Sequence, residues 1–360
     1  MRIIQFLPTL AFGDAVGNDT VALQNALKES GYETSIYAEV VDQRLPKGTA
    51  SDLCGGMPEL NPEDVILYHM STGSKLNYQL EHYACKKIMI YHNITPPAFF
   101  HGYNAQAEAN AQYGLDGLKH LADKIDFCFA DSEFNKSDLR KAGFTCPVAV
   151  RPILIPFSDY EKKPDEKILK QFRDGYQNII FVGRIAPNKK QEDVISAFAF
   201  YKSHFHSKAR LIFVGNWGGM EKYYQRLQDY VNALHLEDVI FTGHIKFSEI
   251  LAYYHIADLF LCMSEHEGFC VPLVEAMYFQ VPVLAYASCA IPWTLGGSGF
   301  LTDSKNPAEI AFLMQKILTD TDLKSKIIAN QKERLQDFQY EKIKALFTDQ
   351  LNSFLQENQL

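Results

Sequence analysis

Short apolar runs rich in β-branched and aromatic residues alternate along this chain with stretches whose apolar positions recur every three or four residues. The first pattern is that of strands buried on both faces and the second that of amphipathic helices. Their alternation predicts βαβ units and parallel sheets covered by helices, an α/β fold. In the first half the strand candidates are Arg2–Leu7, Glu33–Ala38, Asp64–Tyr68, Lys86–Tyr91 and Phe127–Ala130, with Asn18–Ser30 as the first crossover helix. In the second half they are Asn178–Val182, Ala209–Val214, Val239–Phe241, Leu259–Leu261 and Val281–Ala285. Between the halves, Pro152–Tyr176 holds three prolines, a cluster of Lys, Asp and Glu and a short helical patch, a composition typical of an interdomain linker. The chain therefore reads as two doubly wound domains, residues 1–160 and 161–338, followed by a helical segment 339–360. Sheets of this kind bind ligands at the carboxyl ends of their strands, so function is expected on the strand-end loops.

Composition narrows the class. At 360 residues, 47% apolar and 22% charged, the chain is long enough for two cores and is neither disordered nor fibrous. Its 35 basic and 43 acidic residues give a net charge of −8, and no run of Lys or Arg suggests a surface for nucleic acid. Residues 1–150 carry 12 basic and 18 acidic side chains, which argues against docking on an anionic membrane through that half and leaves at most peripheral membrane contact. The seven cysteines are odd in number and lack C-x-x-C spacing, as expected of reduced thiols in the cytoplasm, and no zinc site is evident. The apolar stretch from Ile3 to Phe12 is interrupted by Gln5 and Pro8, so it reads as a buried strand rather than a signal peptide.

Two loops concentrate polar chemistry. Ser264-Glu265-His266-Glu267-Gly268-Phe269-Cys270-Val271-Pro272 follows the strand Leu259–Leu261, and Glu275 lies eight residues beyond Glu267. Pro272 suits a first helical turn, which would aim the backbone N–H groups from Gly268 through Phe269, Cys270 and Val271 at a bound anion such as a diphosphate. Taken alone, the two glutamates fit solvated positions on an ordinary strand-loop-helix better than a site, since most charged residues are simply exposed. In Gly183-Arg184-Ile185-Ala186-Pro187-Asn188-Lys189, the Arg fork and the Lys charge lie close enough in sequence to share one diphosphate, although surface cations are common.

The ordered series V-G-R-I-A-P-N-K (182–189), F-V-G-N (213–216), F-T-G-H-I (241–245), A-D-L-F-L (257–261) and E-G-F-C-V-P-L-V-E-A-M (267–277) resembles the donor domain of glycosyltransferase family 4, retaining enzymes of the GT-B fold. Upstream, Gly13-Asp14-Ala15-Val16-Gly17-Asn18-Asp19 is similar to a loop of some bacterial members, with Gly13 and Gly17 read as permitting unusual dihedrals and Asn18 or Asp19 as capping a helix. Tyr91-His92-Asn93 places a histidine where the family has its active-site histidine, although a metal site shared with His69 is also compatible with the residues. Ser132 is expected to cap the helix after Asp131, and Asp322 in Asp320-Thr321-Asp322 is read as a cap rather than part of a metal-binding D-x-D. Many members carry Glu where this chain has Trp293.

The resemblance implies two Rossmann-like domains facing across a cleft and transfer of a sugar, with retention, from a nucleoside-diphosphate sugar to a carbohydrate or lipid-linked acceptor. UDP is favoured for the nucleotide, glucose for the sugar, and no metal or other cofactor is required. Arg184, Lys189 and the N–H groups near Gly17 and after Gly268 would stabilise the departing diphosphate; Glu267 would bind the donor sugar and Glu275 the ribose. His92 would orient the sugar near the reacting centre. Asp14, Asn18, Gly183, Asn216, His244 and Ile245 complete the expected binding set. Glu267 is the nearest candidate for a nucleophile, although the family's retention is usually described as front-side attack. A sugar-nucleotide epimerase and a non-catalytic sugar-nucleotide-binding paralogue are the alternatives. A nicotinamide-dependent oxidoreductase is not, since no strand-to-helix turn carries G-x-G-x-x-G. Phe99, Phe100, Tyr103 and Tyr113 are candidate stacking faces for acceptor sugars or, equally, helix core.

Overall fold

All pairings between the strands of this protein are parallel, in two separate sheets. They come from a computed structural model that describes residues 1–359. The first sheet holds β1 (Arg2–Leu10), β2 (Glu33–Val41), β3 (Ser51–Asp52), β4 (Val65–Met70), β5 (Lys86–Tyr91), β6 (Phe127–Ala130) and β7 (Val148–Val150) in the order β3-β2-β1-β4-β5-β6-β7. The second holds β8 (Gln177–Val182), β9 (Ala209–Val214), β10 (Val239–Phe241), β11 (Leu259–Cys262), β12 (Val283–Tyr286) and β13 (Phe300–Thr302) in the order β10-β9-β8-β11-β12-β13. Both sheets are doubly wound, as the alternating pattern predicts. The winding reverses between β1 and β4 in one and between β8 and β11 in the other, and crevices for ligands open at such reversals.

The chain divides into two compact units. Unit 1 comprises Met1–Pro97, Gln106–Phe157 and the chain from Phe338 onward; unit 2 comprises Ala98–Ala105 and Ser158–Asp337. The segment Ala98–Ala105, which the sequence reading assigns to the first domain, thus groups with unit 2. The helical patch expected in the linker is the helix Glu166–Phe172, preceded by a 3-10 turn at Phe157–Glu161; the Asp165 side chain accepts from the N–H groups of Lys167 and Ile168.

The strands β3, β7 and β13 are absent from the sequence reading. At two or three residues each, they are too short to show a period, and pairing to a neighbour is what makes them strands. β1 runs three residues further than expected, through Pro8. The β1–β4 ladder ends at Phe6, so the N–H that Pro8 lacks is not needed there. The helix Tyr340–Glu357 buries Ile343, Phe347, Leu351, Phe354 and Leu355 in one cluster with Leu23, Leu27, Phe127 and Phe129 of unit 1. Its rings meet those of β6, Phe347 against Phe129 at 5.3 Å and Phe354 against Phe127 at 5.7 Å.

Two expected caps move by a few residues. Asp14, not Asn18 or Asp19, caps the helix Ala15–Glu29 by accepting from the Gly17 N–H. Asp320, not Asp322, caps Thr321–Leu335. In each case the acid nearest the end of the preceding segment has the extended backbone that a cap needs. Ser132 does cap its helix, accepting from Asn135 N–H. Among the described residues no helix is long and apolar enough to cross a membrane.

Candidate functional site

In unit 2 the two polar loops of the sequence reading meet at the sheet's reversal point. β8 leads into Gly183, Arg184 and the 3-10 turn Pro187–Lys189, while its neighbour β11 leads into residues 264–269 and then the helix Val271–Tyr278. Asn188 ties the loops together: its carbonyl accepts from Glu265 N–H at 2.8 Å and its side-chain amide donates to the His266 carbonyl at 3.0 Å. This brings Lys189 Nζ to 2.6 Å from Glu267 Oε2. Burial disfavours the charge on Lys189, but Glu267 foremost, with Cys270 and Cys262, outweighs it, and the lysine pKa rises above its ordinary value. His266 beside them is pushed down to about 4, chiefly by burial, so it is neutral at pH 7.

The ends of β8, β9 and β10 lie together. Gly183 N–H donates to Val214 O at 2.9 Å, and Gly215 bridges to Gly243. A Cβ on Gly215 would stand 2.1 Å from Gly183 O, and its φ of +151° is one that L side chains rarely adopt, so the approach requires glycine. These loops expose Asn216 and His244, with Ile245 half-buried. Arg184 Nη2 donates to Gly218 O at 2.8 Å. Asn104, from Ala98–Ala105, donates to Gly219 O at 2.6 Å, while Tyr103 packs edge-on against Tyr223 and Phe99 lies beside His266. Two of the candidate acceptor aromatics are therefore packed within unit 2. Tyr113 instead pairs with Tyr78 in unit 1 and is exposed.

The row of N–H groups expected from Gly268 to Val271 ends at the start of the helix Val271–Tyr278. Pro272 has none, and Leu273 donates to Cys270 O. Cys270 takes the strained left-handed conformation at φ 73° that turns the chain into the helix. Phe269 is buried, so only its backbone can meet a ligand, and its ring packs against Trp293, over which the Arg334 guanidinium lies. Glu275 is half-buried, with both oxygens held: Tyr254 Oη donates to Oε2 at 2.6 Å and Tyr160 Oη to Oε1 at 3.0 Å. Neither tyrosine belongs to a motif, and the sequence reading misses both. Cys262, Glu267 and Cys270 bring ligand atoms within 4.8 Å of one another, a set able to hold a soft metal ion were Lys189 to leave Glu267.

In unit 1 the loop after β1 and the ends of β4 and β5 carry the second set. Asp14 and Asn18 are exposed. Gly13 has φ +78°, but Gly17 is an ordinary helical residue whose small size is what counts: a Cβ there would lie 2.6 Å from Ala11 O. His92 differs from expectation in orientation. Its side chain is 2% exposed, with Nδ1 at 2.8 Å from Asp131 Oδ2 and Nε2 at 2.9 Å from His69 Nδ1, so the accessible part of His92 is its main chain. His69 Nε2 in turn meets Gln5 Oε1 at 2.9 Å. Asp131 at Nδ1 favours a proton there, and the buried carboxylates of Asp131 and Asp19 favour His92 as an imidazolium. Asp19, read from sequence as a cap, is a fully buried partner of Arg151, with Nη1 and Nη2 at 2.9 and 2.7 Å from its two oxygens. Arg151 Nη2 also lies 3.7 Å from Asp131. Asp19, His69 and His92 have metal-ligand spacing, but Asp19 already holds a guanidinium on both oxygens.

This network predicts a pH dependence. Burial opposes the His92 charge, but Asp131 and Asp19 outweigh it, and its pKa is raised above 6.5; His69 is held well below that value by burial and by His92. A raised histidine pKa stabilises the fold fully below the unfolded value of about 6.5, and that stability is lost as pH rises through the folded value. Histidine NMR titration is expected to place His92 above 6.5 in the wild type and lower in Asp131→Asn. The stability gap between the two proteins should narrow as pH rises. A His92 that titrates below 6.5 in the wild type would refute the imidazolium assignment.

Residues 162–334 match the family described as glycosyl transferases group 1. Curated relatives include the serotype-specific mannosyltransferase WbdA of Escherichia coli, 24% identical over 164 residues, which are 45% of this chain and 20% of WbdA. The O-antigen chain mannosyltransferase B of E. coli is 22% identical over 68% of this chain and 65% of its own length. The N-acetyl-alpha-D-glucosaminyl L-malate synthase of Bacillus anthracis is 29% identical over 52% of this chain and 47% of its own. The matched region thus spans only a fifth of the first of these relatives. Among solved structures, the sucrose-phosphate synthase of Thermosynechococcus elongatus superposes with a TM-score of 0.77 at 17% identity, covering 99% of this chain and 100% of that one. Anabaena HepE in complex with UDP-glucose gives 0.77 at 19%, covering 98% and 100%. The chain has the GT-B fold, and the stretch of it that lies in the second α/β unit is similar to the glycosyl transferases group 1.

Proposed function

We propose that this protein is a retaining hexosyltransferase that moves a sugar from a nucleoside-diphosphate sugar, UDP-glucose foremost, to a carbohydrate or lipid-linked acceptor hydroxyl in cytoplasmic glycan or polysaccharide synthesis. The observation that carries this reading is the Lys189–Glu267 contact at the reversal point of the second sheet, in the loop that also carries Arg184. As the anomeric C–O bond breaks, negative charge builds on the diphosphate and positive charge on the sugar ring. Arg184 and Lys189 supply fixed cations for the first, and Glu267 supplies a carboxylate for sugar hydroxyls, so stabilisation grows toward the transition state. Two side-chain cations also support neutralisation of the diphosphate without a metal. The resemblance assigns the N–H groups near Gly17 to the diphosphate, His92 to orienting the sugar, and Asp14 and Asn18 to substrate binding. HepE is titled as a complex with UDP-glucose, and the curated relatives are named for transfer of mannose and for an N-acetylglucosaminyl product, which supports a hexose donor.

Nucleoside-diphosphate release is measured from UDP-, GDP-, ADP- and dTDP-sugars with a broad acceptor panel in excess EDTA, for wild type and Glu267→Ala. Release from one donor class that survives EDTA and falls in the variant is the expected result. Binding of a donor without release would instead identify a non-catalytic paralogue, and no binding at all would reject the donor site.

A further inference from the structure

Two cysteines meet at the edge of the first sheet. Cys128 lies in β6 and is fully buried, while Cys146 stands in the turn that leads into β7, half-buried between the exposed Thr145 and Pro147. Their sulfurs are 3.7 Å apart, a thiol–thiol hydrogen bond. The contact follows from the register. Cys128 pairs with Val148, and its N–H donates to Pro147 O at 2.9 Å. Cys146 precedes Val148 by two residues, the spacing at which side chains return to the same face of a strand. The turn itself is held in place, since Arg140 Nη1 donates to the carbonyls of Phe144 at 2.7 Å and Cys146 at 2.9 Å, and Phe144 is buried.

The two thiols are not equivalent. Burial pushes the Cys128 thiol well up, so it keeps its proton and can donate it to its neighbour. The hydrogen bond from Cys128, together with the Arg140 guanidinium, draws the Cys146 thiol down against the effect of burial. A thiolate beside a cation near the surface, with a protonated thiol directly behind it, is the arrangement of an attacking and a resolving cysteine. With hydrogen peroxide as oxidant the chemistry balances. The Cys146 thiolate attacks one peroxide oxygen, the O–O bond breaks, and the departing hydroxide takes a proton from solvent to become water. Cys146 is left as a sulfenic acid. The Cys128 sulfur then attacks the Cys146 sulfur, the S–O bond breaks, and a second water leaves with the Cys128 proton. Two thiols have together lost two electrons, and one peroxide has become two waters. A disulfide of about 2.05 Å asks the sulfurs to close by about 1.7 Å, a movement of the turn before a three-residue edge strand rather than of the sheet interior.

We propose that Cys128 and Cys146 form a peroxide-reactive dithiol, with Cys146 attacking and Cys128 resolving, and that the resulting disulfide pins the edge strand β7 to β6. The bond closes the amino end of the β6–β7 ladder. Its carboxyl end is already closed by Arg151, whose N–H donates to Ala130 O at 2.8 Å and whose guanidinium holds Asp19. The site lies within unit 1 and is independent of the donor reading of unit 2.

The test is mild oxidation of the full chain with hydrogen peroxide, followed by alkylation of the remaining thiols, peptide mass mapping and a thermal melt. The peptides of Cys128 and Cys146 are expected as one linked species, formed before the exposed Cys54 is lost and separated again by dithiothreitol. The melting temperature should rise by several degrees, because a cross-link between positions 18 apart restricts the unfolded chain. In Cys128→Ala, dimedone should label Cys146, whose sulfenic acid then has no thiol to condense with; in Cys146→Ser, Cys128 should stay unlabelled. The wild-type map stands by itself should either variant fail to fold. If Cys128 and Cys146 both remain alkylatable when Cys54 is oxidised, or if dimedone labels Cys128 in Cys146→Ser, the proposal is overturned. A disulfide that leaves the melting temperature unchanged refutes the pinning of β7.

Discussion

Arg151→Met is expected to lower the stability of this protein by about 3–5 kcal/mol, the usual consequence of removing one partner from a buried ion pair. Arg151 and Asp19 are both fully buried, joined by a two-pronged contact, and Asp131 stands on the far side of the same guanidinium. Without it, two buried carboxylates share only the His92 imidazolium. Burial alone would raise the Asp19 pKa, but the Arg151 charge overrides it and holds it below the usual carboxylate range. That depressed value contributes stability above the unfolded pKa, lost as pH falls through the folded one. The deficit of the variant should therefore be greatest near neutral pH and shrink in acid, where Asp19 becomes protonated in both proteins. Urea unfolding across pH measures it. Asp19→Asn added to Arg151→Met should restore part of the loss, since no uncompensated charge then remains at that pair. A single-variant loss under about 1 kcal/mol, as for an exposed pair, would mean the guanidinium is not holding a buried acid.

Lys189→Met should reduce turnover of the donor by about 10²–10³-fold, the range seen when one preorganised electrostatic contact to a developing oxyanion is removed. The substitution keeps most of the side-chain volume and deletes the charge. Binding of the intact donor should weaken less, because the diphosphate gains charge only as the bond to the sugar breaks and Arg184 remains. Glu267 would also lose its counter-ion 2.6 Å away, which costs part of the sugar-binding geometry. Steady-state kinetics with the donor found in the release assay separates the two effects. If KM rises while kcat is untouched, Lys189 contributes to ground-state binding alone and the transition-state role is excluded.

Much of the fold was legible because strands covered on both faces leave unbroken apolar runs, and β8 and β11 announce themselves in Ile179–Val182 and Leu259–Cys262. The two loops after these strands were legible for the same reason, since a polar and glycine-containing stretch directly after a buried strand has few places to go but the strand's carboxyl end. Arg151, Tyr160 and Tyr254 were not. Each sits in a segment without a motif, Arg151 just past a three-residue strand, and their partners lie 132, 115 and 21 positions away respectively. Asp19 was legible as a residue of interest but assigned the wrong task, because Asp14 and Asp19 are equally suited to capping as residue types. Only the backbone decides which of them stands in front of the helix and which turns inward to Arg151.

The sequence by itself determined the parallel α/β class, the placement of the chemistry at strand ends and the order of the motifs that unit 2 shares with group 1 glycosyl transferases. These follow from local periodicity and from residue types that carry their own meaning wherever they lie. What only the tertiary structure decided is pairing: that Lys189 rests on Glu267, that His92 turns its ring inward toward Asp131 and His69, that two tyrosines hold Glu275, and that residues 98–105 group with unit 2. Electrostatic and hydrogen-bond partners act over a few ångströms through space, and the distance along the chain between them is set by the winding of the sheets, which no window of neighbouring residues contains.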